Sequence, residues 1–148
     1  MTTPNQLCTF WAADHLFGIA VKDIREVRWC GDITDVPRSG RAIRGLTNVR
    51  GELLCLLDLR RRLGFDGGRE SLCVVLRSDE PVGLLVDEVG DVIDLPPAER
   101  LETPENLPET IRDAVVGLYA YGTQTIAQLD VVQLLQPQHL ILEAGDLA

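Results

Sequence analysis

The sequence predicts an all-β protein assembled from two similar small modules, and three observations carry that prediction. Apolar residues come in short runs of strand length, separated by Gly, Pro and Asp, which is the punctuation of a β-rich chain. The pattern of the first half recurs in the second. Each copy ends in an aspartate that opens one brief helical turn. About five short strands per copy with glycine-rich turns point to sandwich or closed-barrel geometry.

With 148 residues the chain is one ordinary domain or two very small ones, and a chain of this size buries roughly 70% of its unfolded surface, enough for a true core. A formal charge of -9 argues against nonspecific nucleic-acid binding, because tracking phosphates needs an excess of Lys and Arg. The start shows no charged leader with an apolar core, and the apolar runs fall far short of the ~20 residues of a membrane span. A soluble, cytoplasmic protein without direct membrane insertion is expected. Cys8, Cys30, Cys55 and Cys73 form no CxxC pair, and His15 and His139 cannot complete a zinc-finger pattern, so no metal and no cofactor is predicted. Cysteines inside apolar runs read as small buried hydrophobes.

In chain order, residues 7–11 read as a strand, 12–15 as a turn and 16–21 as its hairpin partner. Val21, Ile24 and Val27 stand three apart, a spacing that predicts a helical turn. Residues 33–36 read as a short strand stopped by Pro37, and residues 38–44 as a polar, basic connection. Then comes Gly45-Leu-Thr-Asn-Val-Arg-Gly51, a strand and tight turn bracketed by glycines. The run from 53 to 57 is apolar on both faces, which predicts burial on both. Asp58 is the expected N-cap of a short helix and Gly64 its C′ residue.

Beyond a linker at residues 65–69 the chain starts again. A shift of 65 sets residues 7–11 on 72–76, Gly18 on Gly83, Ile24 on Val89, Glu26 on Asp91 and Val27 on Val92. A shift of 72 sets Gly45 on Gly117, Leu54 on Ile126, Asp58 on Asp130 and Leu63 on Leu135. The seven extra residues fall in the proline-rich stretch 95–108, which reads as loop. The approximate subdomains are residues 1–68 and 69–148. Each is near the ~60-residue size at which a core is marginal, so the halves are expected to share an apolar contact and fold together. Gln128 stands where the first copy has Leu56, which predicts a less buried second inner strand. The stretch 138–148 is weakly amphipathic at Leu140 and Leu142 and leaves a C-terminal helix open.

The segment from Gly45 to Gly51, followed by Leu54, Leu56, Asp58 and Leu59, resembles the Gly-x-x-Asn-x-Arg-Gly signature of the CheW family. Gly18-Ile-Ala-Val21 with Ile24, Glu26 and Val27, residues 86–92, and residues 116–118 leading to Leu129-Asp130 extend the resemblance over nearly the whole chain. It implies two SH3-like five-stranded β-barrels with strands exchanged between them, so that a linear boundary near Arg69 is approximate. It also implies a non-enzymatic adaptor between the cytoplasmic tip of methyl-accepting chemoreceptors and the regulatory domain of a CheA-type histidine kinase, held at membrane-associated arrays through its partners. The positions matching the family's receptor contacts are Ile24, Gly45, Arg50 and Val92; Val27 and Asn48 are added as candidates beside them. Service in a twitching or biofilm pathway is the alternative within the family.

Arg50 has no counterpart in the second copy, where the shift reaches Gly122, so the repeat does not account for it. Either it pairs with a carboxylate, for which the resemblance suggests Glu26, or it contacts a receptor helix; the two are compatible. Ile24, Val27 and Val92 fit a groove for an amphipathic helix and equally fit a core. The run Arg60-Arg61-Arg62 and the pair Asp87-Glu88 read as solvated surface. No catalytic residue is predicted: no nucleophile stands beside an evident base, and no phosphate loop is present. A small thiol or acid–base enzyme using Cys8, His15 or an acidic pair is the reading from another class.

Overall fold

A computed structural model describes residues 6–37, 40–67, 72–94, 100–102, 104–105 and 107–136. Residues 138–148, where the sequence leaves a C-terminal helix open, lie outside them. Strands β1 (Gln6–Ala12) and β2 (His15–Ala20) form a hairpin, and a 3-10 turn (Val21–Asp23) leads into β3 (Ile24–Trp29). After β4 (Ile43–Val49) and β5 (Glu52–Asp58) comes the short helix α1 (Leu59–Arg62). The second half runs through β6 (Leu72–Leu76), β7 (Val82–Val86), β8 (Glu88–Asp94), β9 (Arg100–Leu101), α2 (Glu109–Arg112), β10 (Val115–Tyr121), β11 (Gln124–Leu129) and α3 (Val131–Leu134). The protein is all-β, with two SH3-like barrels. The stretch read as proline-rich loop thus contains the two-residue strand β9.

Each barrel sheet takes strands from both halves of the sequence. One runs β3-β6-β7-β5-β4 and the other β8-β1-β2-β11-β10-β9. The hairpin β1–β2 therefore sits among second-half strands and β6–β7 among first-half strands, each joined through one parallel pairing, β2 with β11 and β7 with β5. Leu54, Leu56, Cys73, Val75 and Leu85 fill the first barrel, and Leu7, Leu16, Ile93 and Ile126 fill the second. The largest apolar cluster lies between them, with Phe10, Phe17, Leu57, Leu84, Leu129 and Leu134 drawn from both halves.

The repeat persists into fine geometry. The Asp58 N–H donates to Ala42 O at 2.8 Å and the Asp130 N–H to Ala114 O at 2.8 Å, and both aspartates cap the helix that follows. Extra residues bulge out of register at Arg44 in β4 and at Val116 in β10. Bulges also explain the misleading three-residue spacing. Ile24 pairs with Leu76 and Val27 with Val74, because an extra residue at Arg25 turns the usual same-face step of two into three. Only Val21–Asp23 is helical, and Ile24 and Val27 belong to a strand. Residues 33–36 contribute a single bridge, Thr34 with Leu46, rather than a strand.

One correspondence is out by a residue. Cys8 pairs with Val92 as Val74 pairs with Val27, and Phe10 with Val89 as Leu76 with Ile24. So β1 corresponds to β6 at a shift of 66, while β3 and β8 keep 65. A shift of 65 in β1 would place Leu7, which packs inside its barrel, on Leu72, which faces the inter-barrel cluster; in a period-two strand a one-residue slip exchanges faces.

The helix ends are as the residues predict. The Asp58 carboxylate accepts the Arg61 N–H at 3.3 Å, and Gly64, at φ +94°, closes α1 with Gly64 N–H to Arg61 O and Phe65 N–H to Arg60 O, the paired bonds of a Schellman ending. In β5, Leu54, Leu56 and Leu57 are buried but Leu53 is 57% exposed. The neighbouring strand β7 reaches only as far as Cys55, so Leu53 lacks the cover that burial on both faces requires. Gln128 is half-buried where Leu56 is fully enclosed.

Candidate functional site

The β4–β5 turn holds the residues that the repeat leaves unexplained. Val49 pairs with Glu52, leaving a two-residue loop of Arg50 and Gly51 with φ of +51° and +85°. Positive φ at both central positions is what a type I′ hairpin needs, matching the twist of its strands. Asn48 Oδ1 accepts the Gly51 N–H at 3.0 Å and ties the turn. Glycine suits the second position. Arginine at the first costs on the order of 1–2 kcal/mol, because its Cβ crowds the backbone in the left-handed region.

That conformation sends the arginine side chain across to β3. The Arg50 guanidinium pairs with the Glu26 carboxylate. Arg25 Nη1 reaches Glu52 Oε1 at 2.8 Å, and Arg28 Nη1 lies 3.5 Å from Glu26 Oε1. Hydrogen bonding by Arg50, opposed by partial desolvation and helped by the charges of Arg50, Arg28 and Arg25, holds the Glu26 carboxyl below the ordinary glutamate range. The Arg25–Glu52 and Arg28–Glu26 contacts carry no signal in the sequence beyond alternating charge on a strand.

The other candidates divide by exposure. Val27 is 38% and Val92 57% exposed; they occupy equivalent positions on β3 and β8, one in each barrel. Ile24 is half-buried and packs against the inter-barrel cluster. Asn48 is exposed at the turn. Gly45 is buried, at φ +151°, and a Cβ there would lie 2.4 Å from Thr34 O, so its contribution is to the path of β4 rather than to a surface. Trp29, 70% exposed at the end of β3, was not singled out by the sequence.

The three arginines of α1, expected as a solvated face, have three different surroundings. Arg60 makes a bidentate pair with Asp87, Nε to Oδ1 at 3.0 Å and Nη2 to Oδ2 at 2.7 Å; Asp87 also accepts the Ala13 N–H at 2.9 Å. Arg61 is exposed beside Asp58. Arg62 is 3% exposed and donates to Leu134 O and Gln133 O, each at 3.0 Å. Charge alone could not separate them, since the partners of Arg60 and Arg62 lie 27 and more residues away.

Among the described residues no group of three His, Cys, Asp or Glu side chains is placed to hold a metal, and no helix is long and apolar enough to cross a membrane. Burial raises the thiols of Cys8 and Cys55, which disfavours the nucleophilic thiolate. Cys30 and Cys73 share a thiol hydrogen bond that lowers the first and raises the second. An apolar cavity of about 200 Å³ beside His15 and Phe65 has His15 and Thr125 as its polar side chains. Among the described residues no carboxylate or thiol lines it.

The model of the CheW-like domain matches residues 6–139. The chain belongs to the CheW-like domain family. It is 26% identical over 145 residues to the chemotaxis protein CheW of Klebsiella aerogenes, covering 95% of this chain and 87% of that one. To the chemotaxis protein CheW of Treponema pallidum it is 24% identical over 143 residues, covering 91% and 84%. The crystal structure of the scaffolding protein TtCheW from Thermoanaerobacter tengcongensis superimposes with a TM-score of 0.79 at 25% identity, over 90% of this chain and 94% of the other. The two-barrel CheW fold is thus the frame on which the Arg50 hairpin is displayed, and CheW-family membership places the protein among the scaffolds of chemotaxis signalling.

Proposed function

We propose that this protein is a non-enzymatic adaptor that couples methyl-accepting chemoreceptors to a CheA-type histidine kinase. The observation that carries the reading is the Arg50 hairpin. An arginine is kept at positive φ, where glycine would be relaxed, and its guanidinium is fastened to Glu26 while remaining 61% exposed. An ion pair this exposed is screened by solvent and adds little, too little to outweigh the backbone cost, so stability alone gives weak reason to keep it.

The cytoplasmic tip of the receptor, an amphipathic helical hairpin, docks on Arg50, Asn48, Val27 and Val92, with Ile24 backing them and Gly45 shaping β4. Apolar side chains of the helix meet the valines and its carboxylates meet the guanidinium. The regulatory domain of the kinase takes a separate surface. As a non-enzymatic adaptor it acts by favouring one kinase conformation over another, and it reaches the membrane array through its partners.

Reconstitution with receptor-bearing membranes and kinase tests this. The wild type is expected to co-sediment and to raise receptor-controlled autophosphorylation, and Val27→Asp and Val92→Asp, at exposed positions, are expected to lose both while remaining folded. Failure of the wild type to associate with either partner removes the coupling reading; retained binding by both folded variants removes the surface.

A further inference from the structure

The second barrel has its own version of the Arg50 site, with the carboxylate in place and the arginine missing. Asp91 on β8 corresponds to Glu26, and Gly122 in the β10–β11 turn corresponds to Arg50. The other charges of the first site are gone as well, with Gly90 where Arg25 stands and Gln124 where Glu52 stands. A cavity of about 240 Å³ opens here, lined by Thr9, Trp11, Asp91, Ile93, Tyr121 and Gln124 among others. Among the described residues no cation pairs with the Asp91 carboxylate; its backbone carbonyl is held by the Thr9 hydroxyl at 2.6 Å.

We propose that this mouth of the second barrel receives an arginine side chain from a partner protein, which completes from outside the pair that Arg50 and Glu26 complete within the chain. A carboxylate that shares one cavity with the aromatic side chains of Trp11 and Tyr121 is suited to a cation, combining an ion pair with attraction to the rings. Arginine fits better than lysine because a flat guanidinium can stack on a ring and still offer paired donors to one carboxylate. The chain itself supplies the precedent, in a barrel of the same construction. The turn is already shaped for it: Gly122 has φ +61° against +51° at Arg50, and a Cβ there meets nothing within 4 Å.

The probe is arginine capped at both ends, N-acetyl-arginine methylamide, titrated into the isotope-labelled full chain and followed by amide chemical shifts. Saturable shifts are expected at residues 90–92 and 121–124, with affinity at least tenfold weaker for capped citrulline, which is isosteric and neutral, and lost in Asp91→Asn. Gly122→Arg is expected to fill the site from within. It abolishes probe binding, and adding Asp91→Asn to it lowers the melting temperature by more than Asp91→Asn lowers that of the wild type, because the new pair is then lost while the backbone cost stays. No saturable shifts at these residues, or shifts unchanged in Asp91→Asn, overturn the proposal. Tighter binding of free arginine than of the capped form overturns the assignment to a protein partner. None of these readouts depends on receptor or kinase, so they stand apart from the coupling test.

Discussion

Arg62 Nε donates to the carbonyl oxygen of Leu134 at 3.0 Å, and these are the equivalent residues of the two repeats, 72 positions apart. Where the second copy presents a buried leucine, the first presents a buried arginine that caps the carbonyl end of its own counterpart. Burial lowers the Arg62 pKa and the charge of Asp113 partly opposes this. Arg62→Ala should cost about 2–4 kcal/mol, combining a cavity with two carbonyls deprived of a donor. Arg62→Met, which keeps the stem, should cost about half as much on the packing part. Urea unfolding checks the order; equal losses would mean that the stem contributes nothing.

The Arg50 hairpin separates stability from binding. Arg50→Gly relieves the left-handed backbone and gives up an exposed ion pair, so its stability should lie within about 1 kcal/mol of the wild type, while receptor co-sedimentation falls. Arg50→Lys should likewise weaken coupling more than it lowers the melting temperature. A large drop in melting temperature with coupling intact in the folded fraction would show that Arg50 is chiefly an anchor.

Gly45 predicts the opposite pattern. Its added Cβ would stand 2.4 Å from Thr34 O and 2.8 Å from the Ile33 side chain, and the bridge from Thr34 to Leu46 cannot yield without losing its hydrogen bonds. Gly45→Ala should cost about 2–3 kcal/mol through overpacking and strain, visible as a lower denaturation midpoint. A variant as stable as the wild type would show that residues 33 and 34 move freely.

Asp58 gives a pH signature. Burial raises its pKa, with the Arg61 and Arg60 backbone bonds and charges opposing. A carboxyl raised in the folded state favours folding most where it is protonated, below its unfolded pKa, and that contribution is lost as pH rises through the folded pKa. Asn caps a helix as well as Asp, so Asp58→Asn should match or exceed the wild type at neutral pH and lack this decline. A constant stability difference across the titration would refute it.

Exchange of hairpins between the sheets predicts that neither half folds alone. Separate chains of residues 1–68 and 69–148 should each give collapsed amide spectra, because each lacks the hairpin that completes its sheet, and mixing should restore dispersion. A dispersed spectrum from either fragment alone would show an independent module.

What the sequence made legible was local. The cap at Asp58, the close at Gly64 and the strand at β5 depend on neighbours within a few residues, and glycines such as Gly45 and Gly18 announce tight approaches. The bulges at Arg25 and in β8 mimicked helical spacing because a single extra residue changes a period of two into three. The slip between shifts of 65 and 66 was hidden, since β1 and β6 are apolar on both faces and either alignment looks equally hydrophobic. Arg60 and Arg62 were indistinguishable from Arg61, their environments being set by Asp87 and Leu134, far along the chain. At the candidate site, the resemblance suggested Glu26 for Arg50; the positive φ of Arg50 had no such signal, because Arg-Gly is an ordinary turn pair in many conformations.

The exchanged hairpins also set a timetable for synthesis. β1 and β2 leave the ribosome early, but their sheet neighbours β8 and β11 are not complete until Leu129. At about 5–20 residues per second, the roughly one hundred residues between β2 and the end of β11 leave the β2 edge unpaired for about 5–20 s, and the β1 edge stays open until β8 is made. The nascent chain therefore depends on whatever shields those edges until its second half arrives.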